Sequence, residues 1–158
     1  MIDLWLQLLR WAHVLGACVL IGTGSGIAFF MVMAHRTRDA HIIAHTARIV
    51  VIADMLFTAS AVVIQPITGY LLARELGWSL DTPWLLAAIG LYMLIGLFWL
   101  PVVWIQVRLR DLASAAARKG EALPPAYFRL YRIWFACGFP AFGAILLLVW
   151  LMLTRPAL

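Results

Sequence analysis

Long apolar stretches alternate with short clusters of polar and charged residues along this chain. Four such stretches, at about residues 4–33, 41–72, 83–108 and 126–153, fill most of it. At ~1.5 Å of rise per residue, each one is long enough to cross the roughly 30 Å hydrocarbon core of a bilayer as a helix. The pattern predicts an all-α fold, a four-helix transmembrane bundle, with residues 1–158 forming a single integral membrane domain. The punctuation agrees with the pattern. His35-Arg36-Thr37-Arg38-Asp39 separates the first two spans, Thr82-Pro83 puts a proline in the first turn of the third, and Pro124-Pro125 precedes the fourth. The Ala-rich stretch from Leu112 to Ala117 extends the third helix beyond the membrane until Gly120 stops it. Pro66, Pro101 and Pro140 interrupt their spans and predict local kinks or unwinding. The first apolar run, from Ile2, is longer than the core of a secretory signal, so the first helix is expected to be retained.

Composition sharpens this picture. The chain is 65% hydrophobic and 12% charged, against about 25% charged in soluble domains. A formal charge of +5 would suggest nucleic acid in a soluble protein. Here the basic residues flank apolar spans, which points to the lipid bilayer as partner, with no nucleic acid. The first loop and its flanks hold Arg36, Arg38 and Arg48, and the third holds Arg108, Arg110, Arg118, Lys119, Arg129 and Arg132. Only Arg10, Arg74 and Arg155 lie on the other side. The bias predicts a multi-pass membrane protein with both termini outside the cytoplasm. Trp5, Trp11, Trp78, Trp84 and Trp150 then fall near the outer interface.

Candidate chemistry is sparse. Cys18 and Cys137 form no CxxC or CxxCH and read as buried thiols. His13 lies well inside the first span, with Arg10 one turn before it and Gly16 one turn after, all on one helix face. These parts suit haem b. A neutral imidazole ligates iron, an arginine pairs with a propionate, and a glycine admits a flat macrocycle. A histidine hydrogen-bonded to a neighbouring helix and a proton-transfer group are the competing readings. Gln65 and Met93 fall at about the depth of His13, which makes Met93 a candidate second axial ligand. His41 and His45, one turn apart, read as a solvated helix start or a second metal site.

Asp54 is the other ionisable group deep in a span. An unpaired charge there is costly, so a structural ion pair with Arg132 of the fourth span is expected, and a proton relay is the alternative. Thr58 and Ser60 are expected to add interhelical hydrogen bonds. Gly22-Thr23-Gly24-Ser25-Gly26 follows no strand and fails as a dinucleotide loop. Gly22 and Gly26 form a small-xxx-small pair that predicts close helix approach.

The segments WAHVLGACVLIGTGSG, VIADMLFTASAVVIQPITGYLL, WLPVVWIQVRLRDLA and RIWFACGFPAFGAILLLVWLM resemble an uncharacterised family of predicted bacterial integral membrane proteins over almost the whole chain. More distantly, the chain is similar to CopD-like copper-resistance proteins and HemJ-like protoporphyrinogen oxidases. In the latter a first-helix histidine after a basic residue is associated with haem b, which implies such a role for His13 and Arg10. The intramembrane lysine of HemJ-like enzymes has no counterpart, so the oxidase activity is not carried over. CopD-like proteins imply copper, but the outward loops are not rich in Met or His.

Two functions follow from these readings. One is a haem b-binding membrane protein in electron transfer or redox chemistry. The other is a non-catalytic accessory subunit of a larger respiratory or photosynthetic complex; a homo-oligomer is a further assembly. A small transporter is a third class, disfavoured because four helices offer few polar interior groups. Whether the protein is an enzyme is open at this level.

Overall fold

In the computed structural model, residues 4–156 are described; the start of the apolar run at Ile2 lies outside them. Helix α1 spans Leu4–Thr37 and α2 spans Ala40–Ala53. A single π turn, Asp54–Thr58, joins α2 to α3, Ala59–Glu75. Helices α4, Pro83–Lys119, and α5, Pro125–Thr154, complete the chain. With α2, the π turn and α3 running as one unit, four helices are long and apolar enough to cross a membrane, as the pattern predicted.

Local chemistry fixes the ends. Arg38 turns the chain with a positive φ of 59°, and the Asp39 carboxylate caps α2 by accepting from the backbone N–H of His41 at 2.7 Å. Gly120, at φ 66°, closes α4 in the left-handed conformation that glycine adopts without a Cβ penalty.

The prolines do not break their helices: Pro66, Pro101 and Pro140 all lie inside continuous ones. At Pro66 the reason is visible. Proline lacks the N–H that would bond the carbonyl four residues back, here Val62. The Tyr92 hydroxyl of α4 donates to that carbonyl instead. The irregularity in this span falls at the π turn, where the N–H of Ala59 reaches back to Asp54. The Ser60 hydroxyl lies 2.7 Å from the Leu56 carbonyl and 2.9 Å from that of Phe57. Ser60 therefore serves its own helix, not a neighbour. The expected interhelical bond from Thr58 is also missing, since its buried hydroxyl faces the Asp54 carboxylate of its own span and not another helix.

The packed core lies at the end that carries the basic loops. There Met31, Ile43, Leu109 and Tyr127 are fully buried, interleaved with Ala34, Ala44, Ala47 and Ala113. Lipid is as apolar as leucine, so helix association in a bilayer depends on close packing and polar contacts, and small residues make close packing possible. Alanines fill that role here. The glycines predicted to do so do not: a Cβ built on Gly22, Gly24 or Gly26 would meet nothing within 4 Å. Gly22 and Gly26 instead line an apolar groove of about 500 Å³ between α1 and α2.

At the opposite end the packing is thinner. Trp84 is buried edge-on against Trp78, with centroids 5.2 Å apart, beside Ala73 and Leu85. The Arg155 guanidinium lies 4.8 Å over the Trp78 ring. Trp84 is thus a packing residue, while Trp11 and Trp150 are exposed at the bundle surface. The cysteines also depart from expectation, with Cys18 exposed and Cys137 half-buried.

Candidate functional site

The residues around His13 come from two helices. Helices α1 and α3 pack together in the half of the bundle that holds the chain ends. Gly16 is buried, and a Cβ on it would lie 2.6 Å from the Gln65 amide nitrogen. That space is taken up by Gln65, whose Nε2 donates to the His13 carbonyl at 2.7 Å. Gly69 plays the matching part on α3, since a Cβ there would come within 3.2 Å of His13 Cε1. The two glycines let an amide and an imidazole fill the seam. In this packing Gly16 faces Gln65 and is not an open surface.

His13 Nδ1 lies 2.8 Å from the Thr68 hydroxyl oxygen. That hydroxyl is 2.9 Å from the Ile64 carbonyl and 3.2 Å from the Gln65 carbonyl, both of which can only accept. Its single proton is committed to its own helix, so the oxygen accepts from Nδ1–H. The Gln65 carbonyl also faces the ring. The arrangement selects the Nδ1–H tautomer and leaves the Nε2 lone pair available. None of the described hydrogen bonds engages Nε2. A ring held by its other nitrogen is the usual way a protein orients a histidine ligand.

The other predicted participants are less closely gathered. Arg10 lies exposed one turn from His13, with no ion pair among the described residues. Met93 is 68% exposed on α4, and no described contact brings it to His13. For iron, the donor set therefore fits on one side: an oriented imidazole, with a cation one turn away. Neither of the two grooves described for this bundle is lined by His13. Among the described residues, no group of three or more His, Cys, Asp or Glu side chains gathers as a metal site.

Asp54 requires a correction. It is buried, as expected, but Arg132 is exposed on α5 and forms no ion pair with it. The Asp54 Oδ1 accepts from the Trp99 indole N–H of α4 at 3.4 Å, while Oδ2 has no partner among the described residues. The physical reason is rotation about the helix axis. Arg132 sits between the buried positions Tyr131 and Trp134 but on the outer face of α5, where a long cation reaches polar surroundings. The carboxylate is left with this indole and the nearby Thr58 hydroxyl, one turn further on, at a π turn, a feature often found at functional sites.

Several polar contacts were not foreseen. Thr68, Trp99 and Tyr92 carry the bonds just described, yet each is an ordinary residue in its own stretch of sequence. His35 is another case. It stacks on Tyr131 with ring centroids 3.6 Å apart and its Nδ1 is 3.3 Å from the Tyr127 hydroxyl. This pairs the last turn of α1 with the first turns of α5. Only a helix-phase argument across residues 35, 127 and 131 would have signalled it.

Residues 7–156 match the model of a family described as predicted integral membrane protein, DUF2269. No curated protein matches the chain, and no solved structure matches it. These comparisons give no support to the more distant likeness to CopD-like and HemJ-like proteins.

Proposed function

We propose that this chain, which belongs to the DUF2269 family of predicted integral membrane proteins, is a haem b-binding redox protein in which His13 would hold the iron. One observation carries the reading: the Thr68 hydroxyl fixes His13 through Nδ1 and leaves Nε2 free. Haem b, when bound, supplies one-electron redox chemistry. The chain's own residues would hold and orient it. Gln65 fixes the backbone at His13, Gly69 gives the ring room, and Arg10 offers a guanidinium to a propionate. Met93, after a local rearrangement, or a ligand from outside the chain would complete the donor set. A visible spectrum of detergent-purified protein from haem-replete cells tests this. A Soret band that disappears in His13→Ala, at unchanged folded yield, is expected. An absent band, or one unchanged by the substitution, removes the reading.

The proposed location is the bacterial inner membrane, supported by the resemblance to predicted bacterial membrane proteins, and the proposed orientation has both termini outside the cytoplasm, supported by the Lys/Arg bias. A C-terminal fusion to a reporter active only outside the cytoplasm tests the orientation.

The alternative, a non-catalytic subunit of a larger membrane complex, draws on one surface. Met93, Leu97, Leu100 and Trp104 recur at helical spacing on α4 and are each more than half exposed. Stoichiometric partners on mild-detergent purification would favour that alternative, and a clean monomer or homodimer would count against it.

A further inference from the structure

At the end of the bundle that carries the basic loops, α2 and α4 enclose a groove of about 260 Å³. Its floor is Ala44 and Ala117, whose small side chains leave the space. Around it stand His41, His45 and Arg48 from α2, and Ser114 and Arg118 from α4. The spacing explains the convergence, since residues 41, 45 and 48 share one face of α2 and residues 114 and 118 one face of α4.

Four nitrogen-bearing side chains thus line a groove that includes no carboxylate. The acidic residues of this end are engaged elsewhere: Asp39 caps the first turn of α2 by accepting from the backbone N–H of His41 and Ile42, Asp111 pairs with Arg110 at 2.8 Å, and Glu121 pairs with Lys119 at 4.0 Å. Among the described residues, none of the four side chains forms an ion pair or a hydrogen bond. Two guanidinium groups repel each other, and an anion between them reverses the sign of that term. Arginine forks match the oxygens of a phosphate, and imidazole N–H and serine O–H groups add donors. The groove is smaller than the roughly 300–1,000 Å³ of a drug-sized pocket, which suits a compact anion. The His41–His45 pair has no third ligand of metal type in the groove.

We propose that this groove binds a phosphate group, and that its source is the headgroup of an anionic phospholipid. The α2 surface favours lipid over a free anion. The face bearing His41, His45 and Arg48 continues to Ile52, which is 58% exposed, inside the apolar part of the span. A headgroup in the groove therefore has an apolar track for its acyl chains, whereas a soluble phosphate has no use for one. Basic pockets between transmembrane helices are a recurrent mode of headgroup recognition. The site is independent of His13 and of any redox role.

The test uses the full chain purified in a neutral detergent and followed by native mass spectrometry. Dioleoyl phosphatidylglycerol, dioleoyl phosphatidylcholine and inorganic phosphate are the three probes. Phosphatidylglycerol is expected to bind in preference to phosphatidylcholine. The pair Arg48→Gln/Arg118→Gln is expected to weaken it by roughly tenfold or more. Arg129→Gln/Arg132→Gln removes the same charge from exposed positions outside the groove and is expected to leave binding unchanged. Ala117→Leu fills the floor with every charge in place and is also expected to weaken it, which keeps the test decisive if the arginine pair folds poorly. Equal weakening by both arginine pairs would reduce the effect to general surface charge and overturn the site. Binding of inorganic phosphate with the same variant dependence, but with no preference for phosphatidylglycerol, would overturn the lipid source and retain the phosphate chemistry.

Discussion

Thr68 shows how much one hydroxyl decides at the level of the residue. It takes no part in any sequence motif for a ligand, yet it sets the tautomer of His13 at a distance of 2.8 Å. If His13 ligates haem, Thr68→Val removes the acceptor and lets the ring rotate. Haem affinity, measured by titrating haemin into the apoprotein, is then expected to fall by about 10- to 100-fold, the usual range for such supporting groups. Thr68→Ser keeps the acceptor and should stay near the native value. An unchanged affinity in Thr68→Val would dissociate the hydroxyl from the ligand role. Asp54 obeys a different logic. With no arginine beside it, an ionised carboxylate in a span costs on the order of 2.5–3.5 kcal/mol on insertion scales. Asp54→Asn keeps an acceptor for the Trp99 indole and discards that cost, so the thermal midpoint in detergent is expected to hold or rise. Asp54→Leu strands the indole N–H and should lower it. A large loss in Asp54→Asn would point to a partner cation or a proton-transfer role instead.

Among the elements, the second span is the informative one. Its helix runs on through Pro66 because Tyr92 supplies the hydrogen bond that proline cannot. Tyr92→Phe leaves the Val62 carbonyl unpaired inside the bundle, which should cost about 1–3 kcal/mol. Pro66→Ala restores a backbone N–H to the same carbonyl. The double variant Tyr92→Phe/Pro66→Ala should therefore recover much of the loss, a coupling that a double-mutant cycle of unfolding free energies reads directly. Strict additivity would mean that the hydroxyl and the proline are unrelated. The sequence placed Pro66 in the span but gave no sign of what keeps the helix continuous there, because the compensating donor lies 30 residues beyond Val62 in another helix. The π turn was equally hidden. Its five residues, Asp54–Thr58, contain neither proline nor glycine.

On the scale of the whole molecule, packing is unequal between the two ends. The dense cluster of alanines and aromatics lies with the basic loops, whereas the glycine-rich face of α1 opens on a groove. Leu109→Ala, at a fully buried position, is expected to destabilise by about 2–5 kcal/mol. Leu97→Ala, at a position 69% exposed, should fall within about 0.5 kcal/mol of native in the same unfolding assay. Comparable losses at both sites would mean that Leu97 is covered in the folded protein by a partner or a second copy.

The sequence by itself determined the architecture: four spans, their approximate limits, and the end of α4 at Gly120. These follow from hydropathy, helix rise and backbone stereochemistry, all of which act locally along the chain. It also brought Gln65 to the level of His13, because depth in antiparallel helices is nearly a matter of counting residues. What it could not supply was rotation about each helix axis. Depth made Asp54 and Arg132 partners and Met93 a neighbour of His13, whereas the tertiary structure turns Arg132 and Met93 outward. Likewise Gly22 and Gly26 promised a tight contact that the alanines at the other end provide. In a bilayer, lipid and helix offer an apolar side chain nearly the same environment, so hydropathy carries little information about which face turns inward. That choice is made by the few polar contacts and by side-chain shape, and both exist only once the helices are assembled.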